Sequence, residues 1–291
     1  MKVIDIRIKV PVRDDGSSPY PELPPEYARY GEVYGNGGAS AATLEQLLAE
    51  KRAAGVGPSI LQAEHEFGLP SQWNDRVHEL LTAHPEEFVA GWGLVDPRRP
   101  MEAVAEVERC YHDLGLRGII FEPGFLDISP IDARCYPVYA KCSQLGIPIG
   151  LHTGINFSSH GPLRHERPFL FDQVACHFPD LLMVCHHGGW PWVHEMVAVA
   201  WKHRNVYLEF GAIAPKYIAA GSGGGWGDMP GFMDSVLHEK ILFGTDWPMM
   251  RYDRVLEEVH LLGLRERSLE AYLAGNAERL LDRVMSREVA A

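Results

Sequence analysis

The feature that most constrains this chain is a repeat of form rather than of sequence. Eight short apolar runs each give way to a stretch with helical character. The runs lie at residues 2–12, 56–62, 88–94, 117–122, 147–152, 181–187, 206–210 and 240–246. Helical stretches are expected at 43–54, 72–83, 101–114, 131–145, 171–177, 190–203 and 229–236, with two or three more helices after the last run. Thr43 is placed to cap the first of them. Short buried strands alternating with helices imply a parallel sheet. Eight units in 291 residues fit an α/β fold, a single (β/α)8 barrel spanning residues 1–291. No glycine-rich dinucleotide fingerprint follows any run, which argues against an open dinucleotide-binding sheet.

The first run alternates apolar and polar residues, so Asp5, Arg7 and Lys9 share one face and Ile6 and Ile8 the other. In a barrel the polar face points inward, where charges need partners or a function. Residues 13–42 read as a long loop rich in Gly, Pro, Ser and Tyr, and Tyr27 to Tyr34 are candidates for aromatic contacts. Other polar residues fall at run ends: Glu122, His152, His187 and Asp246 join Arg7 and Lys9 there. Catalytic groups of α/β barrels occupy that end of the strands.

Composition narrows the partners. A net charge of -12 disfavours nucleic acid and anionic membrane. No apolar run approaches the roughly 20 residues of a membrane span. The five cysteines form no CxxC pair and are odd in number, so they are expected to be reduced, in a cytoplasmic protein.

Three motifs carry the chemistry. They are Leu151-His152-Thr153-Gly154, His187-Gly188-Gly189-Trp190-Pro191-Trp192 and Phe243-Gly244-Thr245-Asp246-Trp247-Pro248. With Val3-Ile4-Asp5 at one end and Gly275-Asn276-Ala277-Glu278-Arg279 at the other, the chain resembles the amidohydrolase-related family. That family is a set of barrel hydrolases and non-oxidative decarboxylases related to aminocarboxymuconate semialdehyde decarboxylase. The resemblance implies a divalent metal among His152, His187 and Asp246, its shell completed by a His-x-His pair on the first strand. Here Arg7 and Lys9 stand at that pair. Arginine keeps its charge and has no lone pair to offer. A metal-free site is therefore expected, with zinc or manganese on His152, His187 and Asp246 as the alternative and Glu122 as the first candidate for a fourth ligand.

Several residues have plainer readings. Glu122 is expected to pair with Arg7 or Lys9, and His186 to point toward the helices, because neighbours in a strand alternate. Trp190 and Trp192 read as packing, Met249 and Met250 as core or rim, and His160 and His165 as solvated loop residues.

The functional expectation is hydrolysis of a small, carboxylated cyclic or aromatic-derived substrate. Asp246 is ionised and acts as general base, helped by His187 and His152. Arg7, Lys9 and Glu122 hold the substrate. One alternative is non-oxidative decarboxylation of an aromatic or muconate-like acid. The other is a barrel that binds a ligand without catalysis. The resemblance also implies a homo-oligomer.

Overall fold

The computed structural model describes residues 1–11, 42–64, 70–156 and 161–288. The expected contacts of Tyr27 to Tyr34, and His160, lie outside the described residues. Eight strands form one parallel sheet in sequence order: β1 (Ile8–Lys9), β2 (Ser59–Gln62), β3 (Phe88–Leu94), β4 (Ile119–Phe121), β5 (Ile149–His152), β6 (Met183–His186), β7 (Val206–Glu209) and β8 (Ile241–Leu242). The sheet closes on itself. Ile8 bridges Trp247 in parallel, Ile6 N–H donates to Phe243, Lys9 N–H to Trp247 and Asp246 N–H to Arg7. The architecture is a (β/α)8 barrel, as the alternation implies.

The helices are α1 (Leu44–Ala54), α2 (Pro70–Ala83), α3 (Pro100–His112), α4 (Tyr136–Leu145), α5 (Pro168–His177), α6 (Val193–Lys202), α7 (Pro215–Ile218), α8 (Met229–Met233), α9 (Tyr252–Glu258), α10 (Glu266–Glu270) and α11 (Asn276–Glu288). Thr43 caps α1 in a reciprocal capping box with Gln46, and Gly55 ends the helix at φ 68°. Helix α4 starts five residues later than the sequence suggests, because residues 131–135 are turns.

Both faces of the first run are buried. Ile6 and Ile8 are fully covered on one side; Arg7 and Lys9 point into the barrel on the other, and Asp5 is buried against Thr245 and Tyr252. Trp92 forms a floor beneath the polar interior. Its indole runs so close to Gly118 and Gly150 that a Cβ at either would meet it within about 3 Å. Burying an indole of this size removes roughly 150–250 Å² from water, a gross gain of about 4–6 kcal/mol. Among the described residues, no helix is long and apolar enough to cross a membrane.

Candidate active site

The site is built around Arg7, whose side chain is only 2% exposed. Its Nε lies 3.0 Å from Asp246 Oδ1, Nη1 3.6 Å from Glu209 Oε2, and Nη2 3.3 Å from Glu64 Oε1 and 3.9 Å from Glu122 Oε1. Nη1 also donates to His187 Nε2 at 2.8 Å. Lys9 Nζ sits 2.6 Å from Glu64 Oε2 and 3.8 Å from Asp246 Oδ1, and its side chain is 10% exposed. The strand-end residues Arg7, Lys9, Glu122, His187 and Asp246 therefore do converge. Glu122 pairs with Arg7, as the plainer reading has it.

The tautomer of His187 follows from its partners. Gly211 O can only accept, so the imidazole donates to it from Nδ1 at 2.7 Å. A guanidinium can only donate, so Nε2 carries the lone pair. Burial, and then Arg7, hold His187 well below the usual imidazole range, in agreement with a neutral ring. His152 is the outer histidine. Its ring lies 4.7 Å from that of His187 and edge-on to Phe125 at 5.2 Å, and its Nδ1 is 3.1 Å from Glu166 Oε2. Glu166 also accepts from Asn156 Nδ2 at 3.2 Å. It can come this close to Asn156 because Gly124 has no side chain: a Cβ there would collide with both.

One of the strand-end expectations needs correction. His186 does not face the helices. Its Nδ1 lies 3.0 Å from Glu209 Oε2, and its Nε2 fills the space where a Cβ on Gly150 would sit, inside the barrel. Strict alternation fails because His187 adopts φ 60°, outside the strand, and turns its ring back inward. Asp246, at φ 57°, shares this left-handed conformation. Non-glycine residues there cost of order 1 kcal/mol or more and persist where the surroundings hold them.

The surroundings of Asp246 work against the ionised state expected of it. Burial pushes its carboxyl well above the ordinary range, and Arg7 and Lys9 only partly offset this, with Glu64 and Glu209 adding to the rise. Burial raises Glu209 too, against Arg7. Burial also acts on Glu64, but Lys9 and Arg7 together outweigh it and leave that group below its ordinary value. Two cations cannot neutralise Glu64, Glu122, Glu209 and Asp246 at once. The ionised form is favoured at Glu64 and disfavoured at Asp246 and Glu209, relative to an ordinary carboxyl.

Glu64, Glu209 and Glu166 are site residues absent from the sequence reading, and His186 is read there only as facing the helices. Glu64 follows β2 by two residues and Glu209 ends β7, so the strand-end rule could have found both. Of the remaining expectations, Trp190 Nε1 donates to Gly224 O at 2.9 Å and Arg167 lies over Trp192, both packing roles. Met249 and Met250 are buried, and His165 pairs with Asp127 at 3.0 Å rather than lying free in solvent.

The residues present do not fit a divalent ion. The guanidinium lies between His187 and Asp246 and holds the Nε2 lone pair a metal would need. Among the described residues, His152, His187 and Asp246 do not bring three ligand atoms together within 4.8 Å.

A family model described as amidohydrolase matches residues 6–283. An uncharacterised TIM-barrel protein from Bordetella bronchiseptica superimposes with a TM-score of 0.80 at 29% identity, over 98% of this chain and 100% of that one. A dihydroxybenzoic acid decarboxylase from Polaromonas, solved with manganese and 2-nitroresorcinol, gives 0.66 at 15% identity, over 97% and 96%. A probable 2-pyrone-4,6-dicarboxylic acid hydrolase from Acinetobacter baumannii, with citric acid bound, gives 0.67 at 13% identity, over 96% and 99%. No curated protein matches the sequence.

Proposed function

Because the chain belongs to the amidohydrolase family, we propose that it hydrolyses a small, carboxylated cyclic ester or amide without a metal, Asp246 carrying the proton. The observation behind this reading is the place of Arg7. Its guanidinium is 3.0 Å from Asp246 and 2.8 Å from His187, a fixed positive charge where the two motifs meet. Each of its three nitrogens faces a carboxylate or imidazole of the barrel and the side chain is buried, so in this reading it acts through Asp246 and His187 and does not hold substrate. Lys9, at the more open side, is the cation that meets the substrate carbonyl or carboxylate.

A carboxyl with a raised pKa is the stronger base once it has lost its proton. Asp246 takes a proton from the attacking water and returns it to the leaving oxygen or nitrogen. His187, neutral and anchored on Gly211, keeps Arg7 oriented. His152, paired with Glu166, stands at the rim beside Phe125 for a second proton transfer.

A second reading rests on the same carboxyl. If Asp246 enters the cycle protonated, it can place its proton on a carbon as a substrate carboxylate leaves as carbon dioxide. The bond to the carboxyl carbon breaks, its electron pair stays on the substrate carbon, and the proton of Asp246 closes the new C–H bond. A panel of lactones, cyclic amides and aromatic acids, run in deuterated water, separates the two. Hydrolysis opens the ring and releases no carbon dioxide. Decarboxylation releases it and leaves one deuterium at the vacated carbon. Saturable binding across the panel with no turnover would leave a ligand-binding barrel instead.

A further inference from the structure

Helices α5 and α6 follow the strands that carry His152 and His186, and a second cluster joins them on the outer surface. Asp172 and Cys176 are four residues apart on α5, so they share one face. His203 follows the last residue of α6, its backbone fixed by bonds from its N–H to Val199 and from Lys240 Nζ to its carbonyl. His203 Nε2 lies 2.6 Å from Asp172 Oδ1 and 4.0 Å from Cys176 Sγ, and all three ligand atoms fall within 4.8 Å of one another. Among the described residues no other group of His, Cys, Asp and Glu does this.

A cation already occupies the cluster. Lys202 Nζ lies 2.7 Å from Asp172 Oδ1 and 3.7 Å from Cys176 Sγ, at the end of a side chain that is 56% exposed. We propose that Asp172, Cys176 and His203 form a binding site for a zinc-class divalent cation that clips α5 to α6, with Lys202 filling it when the metal is absent. One oxygen, one sulfur and one imidazole nitrogen favour zinc over magnesium or calcium, which take oxygen ligands. Tetrahedral zinc spaces such atoms about 3.3–3.5 Å apart, between the two separations to His203, so small rotamer changes complete the shell. An exposed lysine–carboxylate pair is screened by water and contributes little, so displacing the ammonium into solvent opposes the metal weakly. Three protein ligands leave a fourth position for water.

Cys176 is the one exposed thiol of five, so an alkylating reagent reads this position selectively. The full chain is stripped with a chelator, then titrated with zinc while alkylation of Cys176 is followed by mass spectrometry. Because the thiolate is both nucleophile and ligand, one equivalent of zinc should slow the reaction about tenfold or more, reversibly on chelation. Asp172→Asn and His203→Gln should lose the protection, and Lys202→Met should keep or strengthen it. Cobalt should give a thiolate-to-metal absorption band that Cys176→Ser lacks. Alkylation at the same rate with and without zinc would overturn the site. So would protection that persists in both Asp172→Asn and His203→Gln, or an equal cobalt band in Cys176→Ser.

Discussion

Two buried polar clusters share the first strand and differ in how completely they are satisfied. Around Asp5, each carboxylate oxygen accepts two hydrogen bonds. Oδ1 takes Arg7 N–H at 2.9 Å and Thr245 N–H at 3.2 Å, and Oδ2 takes the Thr245 hydroxyl and the Tyr252 hydroxyl, the latter at 2.9 Å. Thr245 accepts in turn from Trp247 N–H. This network staples the first run to the residues that follow β8, where the barrel closes. Two residues along, Arg7 Nε, Asp246 Oδ1, Glu64 Oε2, His186 Nε2, His152 Nδ1 and Glu166 Oε2 are buried without a well-directed hydrogen bond, though several stand within ion-pair distance. A satisfied network holds one geometry, whereas groups with unused capacity can exchange protons and bind. Asp5 belongs to the fold, and Asp246, in the proposed reading, to the chemistry.

The largest expected effect is on turnover. Asp246→Asn keeps the shape and removes the proton carrier. Its rate on the substrate found by the panel should fall about 10²–10⁴-fold with the melting temperature nearly unchanged. Turnover within about tenfold of the parent would remove Asp246 from the proton path.

Arg7→Met should be the most damaging change to stability among the site residues. It leaves Glu64, Glu122, Glu209 and Asp246 with Lys9 alone. Losing one partner of a buried ion pair costs about 3–5 kcal/mol. Denaturant melts should show that loss near neutrality and less of it in acid, where the carboxyls protonate. A loss of similar size at both pH values would mean that the guanidinium mainly packs.

Asp5 gives a pH dependence of its own. Burial raises it to about 6 from its ordinary 3.8, in spite of the hydrogen bonds that pull it down. The folded state therefore holds the proton more tightly than the unfolded chain. Stability from this group is present below about pH 4, is lost as pH rises to about 6, and then levels off. Two pH units correspond to about 3 kcal/mol. Asp5→Asn, neutral throughout, should lack this slope. Parallel stability curves for the two proteins between about pH 4 and 7 would contradict the assignment.

The smallest effect separates the clusters most cleanly. Tyr252→Phe removes one donor to Asp5 and should cost about 1.5–3 kcal/mol of stability while leaving turnover unchanged. A fall in rate without a fall in stability would mean that the two clusters are coupled.

The barrel and the site were legible to different depths. The third strand matches the expected residues 88–94 throughout, because its apolar run is uninterrupted and every residue of it but Val89 is buried. The first and last strands were drawn too long. Only Ile8–Lys9 and Ile241–Leu242 keep regular pairing, the flanking residues being bonded to one another across the closure instead. Arg7, Lys9, Glu122, His187 and Asp246 were found by their place at strand ends. Glu64 and Glu209 obey the same rule but resemble ordinary strand-end acids until Arg7 is seen between them. The inward turn of His186 could not be read, because it depends on the backbone of His187. Nor does the sequence show the upward push on the Asp246 carboxyl, which comes from burial and from Glu64 and Glu209, two carboxyls outside the three motifs.

The central claim is that Arg7 takes the place of a metal between His187 and Asp246. The most direct measurement is elemental analysis of the Cys176→Ser protein, purified without chelator, with turnover measured before and after chelation. This variant removes the thiolate of the surface cluster and leaves the barrel interior intact. Zinc and manganese well below one equivalent, with turnover unaffected by the chelator, are expected. One equivalent of either metal that disappears in Asp246→Asn, with turnover lost on chelation and restored by the ion, would contradict it.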